Sequence, residues 1–155
     1  RIMVWAAIGQ GFKSELILFP QAMRNADDAT VSFRLCSDSY IRRCLSPIVP
    51  LLNGRVFQQD GAKVHTAHRV GTYLRGKNIN YIQNWPPYSP DLNCSELVWP
   101  LLNRRVAEYH PSTLEELGVA AKKAWASITQ GEIDALCRHF HSKIRAVYAN
   151  GGRCE

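Results

Sequence analysis

Phe57-Gln58-Gln59-Asp60 and Ser89-Pro90-Asp91-Leu92-Asn93-Cys94-Ser95-Glu96 are the two stretches on which the fold turns. The first closes a short apolar run that reads as a strand, with Asp60 at its end. The second leaves a proline-locked loop and enters an apolar-periodic helix, with Glu96 in its first turn. Between the two acids lie 35 residues. Carboxylates carried at a strand end and a helix start can converge although they are distant in sequence. Two of them about 4 Å apart repel by roughly 4 kcal/mol at an effective dielectric near 20, so something must hold them together. A hard dication with oxygen ligands does so. The pair is therefore a candidate metal site, of the kind that cuts and joins phosphodiesters.

Working outward, residues 2–8 form a near-continuous apolar run, and Gly9, Gly11 and Lys13 make a turn before residues 15–19. This predicts a two-stranded hairpin. Residues 20–37, with Pro20, Asn25, Asp27 and Asp28, read as a loop. Asp38 is placed to cap a helix whose apolar positions Tyr40/Ile41, Cys44/Leu45 and Ile48/Val49 recur at helical spacing. Pro47 should tighten, kink or end that helix. Residues 55–59 and 79–82 read as short strands. Residues 64–74 read as a helix with Ala67, Val70 and Leu74 inward. Trp85-Pro86-Pro87-Tyr88-Ser89-Pro90 is a stiff loop. Three helical patterns follow at 94–108, 113–127 and 130–148, the second opening on Ser112-Thr113-Leu114-Glu115 and the third on Thr129-Gln130-Gly131-Glu132, both capping-box patterns. Gly151-Gly152 should end the last. The order of elements predicts one α/β domain over residues 1–155, with the helices of 113–148 part of it.

Composition narrows the partner. The 19 Lys+Arg against 13 Asp+Glu give a net charge of +6, which favours a polyanion. Residues 61–90 hold Lys63, Arg69, Arg75 and Lys77 and no acid; an ordinary solvated face has the same composition. Five cysteines without a CxxC pair point to free thiols in a reducing compartment. No apolar stretch approaches the roughly 20 residues of a membrane span. The opening Arg1-Ile2-Met3-Val4-Trp5 is not a signal peptide and reads as a chain entered in mid-strand.

Phe57-Gln58-Gln59-Asp60-Gly61-Ala62-Lys63-Val64-His65-Thr66-Ala67 resembles the second-aspartate motif of Tc/mariner-type DDE transposases. Trp85-Pro86-Pro87-Tyr88-Ser89-Pro90-Asp91-Leu92-Asn93, followed by Glu96 and Trp99, resembles their third-acid motif. Ile2-Met3-Val4-Trp5-Ala6-Ala7-Ile8 and Leu101-Leu102-Asn103-Arg104-Arg105-Val106 are supporting matches. The likeness runs from about residue 2 to about residue 128.

That resemblance implies a ribonuclease H-like (retroviral integrase-like) α/β fold, a mixed sheet flanked by helices. It implies three acids around two Mg²⁺ or Mn²⁺ ions, with Asp60 and Glu96 as catalytic metal ligands. It further implies cut-and-paste transposition: strand cleavage at element ends and transfer into target DNA, by a nuclear homo-oligomer with no membrane partner. Lys63, His65, Arg69 and Asn93 are the candidate DNA contacts. The family's first aspartate lies on a strand before the segment matching residues 2–8, and its helix-turn-helix domains lie earlier still; Asp27, Asp28 and Asp38 do not replace that acid. The expectation is a chain that lacks the first acid-bearing strand and is inactive by itself. Two departures stand out: Cys94 takes a position usually held by proline, and Pro100 leaves the carbonyl of Glu96 without its helical partner, predicting a kink. A decayed or domesticated DNA-binding module and another ribonuclease H-like nuclease are the competing readings, and the Trp85–Asn93 loop speaks against the latter.

Each residue also has a plainer role. Asn93-x-x-Glu96 is a helix N-cap pattern, in which Glu96 would bond back to the cap backbone. Asp60 fits a strand-end acid opening a turn at Gly61. Asp91 shapes the proline loop. His65, one helical turn past Asp60, is placed either to meet phosphate or a metal-bound water or to lie idle on a helix flank. Cys137, His139, His141 and Cys154 lack a clean tetrahedral zinc spacing. Trp5, Trp85, Trp99 and Trp125 read as core or loop packing.

Overall fold

A computed structural model describes residues 1–19, 22–24, 30–32, 35–87 and 89–150, with residues 22–24, 30–32 and 147 described by backbone alone. In chain order the elements are β1 (Met3–Trp5), β2 (Ile8–Gly9), β3 (Phe12–Lys13), β4 (Ile17–Phe19), β5 (Ala22–Arg24), β6 (Thr30–Ser32), α1 (Ser37–Tyr40), α2 (Ser46–Ile48), α3 (His68–Gly76), α4 (Ser95–Ala107), α5 (Leu114–Ser127) and α6 (Gln130–Ala149). Helix and strand are mixed, and the described strands pair two by two. The chain divides into two compact units, Arg1–Ala6 with Leu16–Tyr88, and Ala7–Glu15 with Ser89–Glu155.

In the first unit β1 pairs antiparallel with β4, Met3 opposite Phe19 and Trp5 opposite Ile17. Residues 20–37, expected to be a loop, contain a second antiparallel pair, β5 with β6, Ala22 opposite Ser32 and Arg24 opposite Thr30. Asn25, Asp27 and Asp28 fall between these strands in sequence; with Pro20 they lie outside the described residues. Turn-forming residues inside a short hairpin outweighed its brief strand signal. Cys36, not Asp38, caps α1: its backbone is extended, and its N–H donates to Ser39 Oγ at 3.1 Å. Asp38 instead pairs with Arg69 Nε at 2.8 Å. From α1 the helical run continues as a π turn over Ile41–Leu45, then α2, then a 3₁₀ turn over Val49–Leu51. Pro47 has no N–H to offer the carbonyl of Arg43, and the ladder just before it widens, with the Ser46 N–H reaching Ile41 O. The expected apolar stripe holds: Tyr40, Cys44, Leu45 and Ile48 are buried with Phe19, Phe57, Val70 and Leu74.

The strands expected at 55–59 and 79–82 reduce to one parallel bridge between Phe57 and Tyr81. It is closed by Phe57 N–H to Asn80 O at 2.8 Å and Ile82 N–H to Phe57 O at 3.0 Å. α3 begins at His68, four residues later than expected, because residues 62–66 are spent on a turn in which the His65 and Thr66 N–H groups both donate to Ala62 O. Its end is clear physically. Asn78 takes φ 54, and the Ile79 N–H reaches back to Leu74 O at 2.9 Å, a left-handed cap that delivers the chain to the bridge.

In the second unit the β2–β3 tip pairs Ile8 with Lys13 around Gly11, whose φ of 63 suits glycine. The tip is held to the helices. Lys13 Nζ donates to Trp125 O in the last turn of α5 at 3.0 Å and to O of its C-cap Ile128 at 2.6 Å, and lies over the Trp125 ring. Burial lowers the Lys13 pKa below its usual value. Trp125 Nε1 donates to Ser14 O at 2.8 Å, and the Gly11 N–H to Asp134 Oδ1 at 2.8 Å. Val98, Leu102, Ala121, Ala124, Trp125, Ile128 and Ile133 form the core. α4 runs through Pro100 to Ala107. The box at α5 sits one residue later than expected: Thr113 is the cap and Glu116 its partner, because Thr113 is the last extended residue. Thr129 and Glu132 cap α6 as expected, the Glu132 N–H donating to Thr129 Oγ1 at 3.2 Å and the Thr129 N–H to Glu132 Oε2 at 2.8 Å. Asn150 closes α6, while Gly151-Gly152 lie outside the described residues. Thr129→Ala removes this cap and should cost about 1 kcal/mol, read as a lower urea midpoint, with Thr129→Ser retaining most of it. Among the described residues no helix is long and apolar enough to cross a membrane.

Candidate active site

Asp60 follows the Phe57 bridge and opens a turn. Its Oδ1 accepts from the Ala62 N–H at 3.0 Å and meets His65 Nδ1 at 2.5 Å. An ionised carboxylate only accepts, so Nδ1 carries the proton in this contact. Both bonds fall on Oδ1; among the described residues none falls on Oδ2. The Asp60 side chain is 48% exposed and that of His65 15%. His65 is therefore not on a helix flank, as its spacing predicted. The turn at 62–66 folds it back onto the acid.

Two residues that the sequence did not single out hold this arrangement. Tyr40 packs its ring on His65, centroids 4.6 Å apart, and edge-on against Trp5 at 6.1 Å. The Tyr40 hydroxyl donates to Gln59 Oε1 at 3.0 Å, and Gln59 Nε2 donates to His65 O at 2.9 Å. Burial pushes the Tyr40 pKa far up, so the hydroxyl stays a donor. That donor orients the Gln59 amide, whose nitrogen is left for the His65 carbonyl. A buried tyrosine in an apolar stripe must find a partner for its hydroxyl, and Gln59 stands next to the acid; those were the available signals.

Glu96 lies in the first turn of α4 and is exposed. The N-cap of α4 is Cys94, which makes no side-chain cap bond; just before it Asn93, extended in its backbone, accepts from the Ser95 N–H on Oδ1 at 3.2 Å. The Glu96 N–H donates to Asn93 O at 3.1 Å. Among the described residues no hydrogen bond or ion pair engages the Glu96 carboxylate, so the cap role proposed for its side chain is not the one seen. Asp91 sits in a 3₁₀ turn over Pro90–Leu92.

The other candidates separate. Lys63 is exposed. Arg69 is engaged by Asp38, though both stay more than half exposed. Asn93 is occupied at the start of α4. Among the described residues no group of three or more His, Cys, Asp or Glu is gathered for a metal ion. Cys137 is buried and His139 and His141 are exposed on α6, with Cys154 outside the described residues. Of the tryptophans, Trp125 is buried and lies 6.4 Å from Trp99. Asp60 Oδ2 and the Glu96 carboxylate are hard oxygen donors of the kind Mg²⁺ or Mn²⁺ takes.

A family profile described as DDE superfamily endonuclease matches residues 23–118. Over 153 residues the chain is 29% identical to the transposable element Tc3 transposase of Caenorhabditis elegans, covering 97% of this chain and 44% of that protein. It is 33% identical over 92 residues to the Tcb1 transposase of Caenorhabditis briggsae, covering 59% of this chain and 33% of that one. It is 32% identical over 99 residues to the Tc1 transposase of Caenorhabditis elegans, covering 63% of this chain and 36% of the relative. The chain thus spans less than half the length of these relatives.

Proposed function

Because the chain belongs to the DDE superfamily endonucleases, of the Tc/mariner transposase type, we propose that it is catalytic-domain sequence of a cut-and-paste DNA transposase. The observation that carries this reading is Asp60, on a motif of that family, held through Oδ1 by His65 and Ala62. In this reading the fold is ribonuclease H-like, and both units are parts of one catalytic domain. Asp60 and Glu96 are two of its metal-binding acids, and the third is supplied from the strand that precedes the segment matching residues 2–8.

A divalent cation, Mg²⁺ or Mn²⁺, would be held by Asp60 and Glu96, and would supply activation of the attacking hydroxyl and neutralise charge on the leaving oxygen. The chain's own residues do the rest. His65 holds the Asp60 carboxylate through Oδ1, and among the described residues Oδ2 accepts no hydrogen bond. Gln59 and Tyr40 fix His65 in turn. Glu96 presents a second carboxylate from a helix start kept in place by Asn93. Lys63 offers positive charge to the DNA backbone in a stretch without acids, and Arg69 does so when released from Asp38. The whole protein would work as a homo-oligomer on element ends and target DNA, in the nucleus.

The test is cleavage of labelled duplex carrying element ends by the whole protein. Strand cutting that appears with Mg²⁺ or Mn²⁺, stops on chelation and returns on metal addition supports the reading. Metal-independent binding to the same duplex with no cutting under any metal would favour the DNA-binding module instead.

A further inference from the structure

We propose that Cys94 and Cys137 form a redox-responsive thiol pair, which closes to an intramolecular disulfide under oxidising conditions. The two belong to the second unit, and their sulfurs lie 3.7 Å apart although 43 residues separate them in sequence. Both are free thiols. The sulfurs are in van der Waals contact, and a disulfide needs them at about 2.0 Å, a short approach. Cys94 is half-buried at the start of α4, two residues before Glu96; Cys137 is buried on α6. Among the described residues no third His, Cys, Asp or Glu is gathered with them.

The chemistry balances with a small-molecule disulfide as oxidant. One thiol of the pair, once deprotonated, attacks one sulfur of that disulfide; a new S–S bond forms and the other sulfur leaves as thiolate. The second thiol of the pair, deprotonated in turn, attacks the protein sulfur of that mixed disulfide and expels the second small thiolate. Two protein thiols lose two electrons and two protons, and the oxidant becomes two thiols. The closed bond ties the turn carrying Glu96 to α6 and encloses α5. Constraining that loop in the unfolded chain should raise the melting temperature. The link depends only on this thiol contact and is independent of the catalytic reading above.

The experiment exposes the native whole protein to oxidised glutathione, alkylates it, digests it with trypsin without reduction and maps the linked peptides. The expected product joins residues 78–104 to residues 124–138, each of which holds a single cysteine. It should disappear with dithiothreitol, be absent in Cys94→Ser and Cys137→Ala, and accompany a raised melting temperature. A persistent glutathione adduct on Cys94 with no link, or links from Cys94 to the peptides of Cys36 or Cys44, would overturn the proposal. If Cys137→Ala does not fold, the wild-type map decides alone.

Discussion

Asp60→Asn in the whole protein should reduce metal-dependent strand cleavage by about 100-fold or more. Substitution around a metal ligand commonly costs roughly 10- to 100-fold, and loss of the ligand's charge should exceed that. In barrier terms the loss is at least about 2.7 kcal/mol. The amide keeps the shape of the carboxylate and can still accept from the Ala62 N–H, so unfolding midpoints should hardly move. Glu96→Gln should behave alike: its side chain is exposed and carries no ion pair among the described residues, so only the chemistry has reason to change. The measurement is single-turnover cleavage alongside urea unfolding. A variant that cuts at near wild-type rate would remove that acid from the site, whichever of the two it is.

The largest stability effect should come from Tyr40→Ala, at about 3–5 kcal/mol, the range for truncating a buried aromatic. Tyr40 is 0% exposed and is the largest fully buried side chain among the described residues. Against the 5–15 kcal/mol typical of a domain, that loss brings the first unit close to unfolding. Tyr40→Phe is the informative control. It keeps the ring against Trp5 and His65 and deletes only the hydroxyl that orients Gln59, which should cost about 1 kcal/mol. If the Gln59–His65 chain positions Asp60, the same variant should also slow cleavage by roughly 10-fold. A Tyr40→Phe protein with normal cleavage and a small stability loss would make Tyr40 a packing residue only.

The long helices were legible because their signals are local. α5 and α6 combine a sustained apolar stripe with Thr–Glu caps, and the error at α5 is one residue. The β1–β4 pairing was legible from two apolar runs about a glycine turn. Short elements were not. β5 and β6 are three residues each, too brief to outweigh Pro20, Asn25 and the two aspartates. The Phe57–Tyr81 bridge is one pair, which no run of β-formers distinguishes from a strand. Among the candidate residues, Asp60 and Glu96 stood out through their motifs. The support for Asp60 did not, since Tyr40 reaches Gln59 across 19 residues and His65 arrives by a turn that interrupts an apparently helical pattern. Tertiary placement decided both.

The tip of the first hairpin sets a timetable for the second unit. Lys13, Ser14 and Gly11 find their partners on α5 and α6 more than 110 positions later in the chain. At roughly 5–20 residues per second of synthesis, the tip emerges several seconds before its docking helices exist. The half-buried ammonium that will close α5 must wait in solvent meanwhile, and the unit's folding rate carries the penalty of its most distant contacts. A piece beginning at Ser89 would contain all three long helices and still lack the segment that completes them.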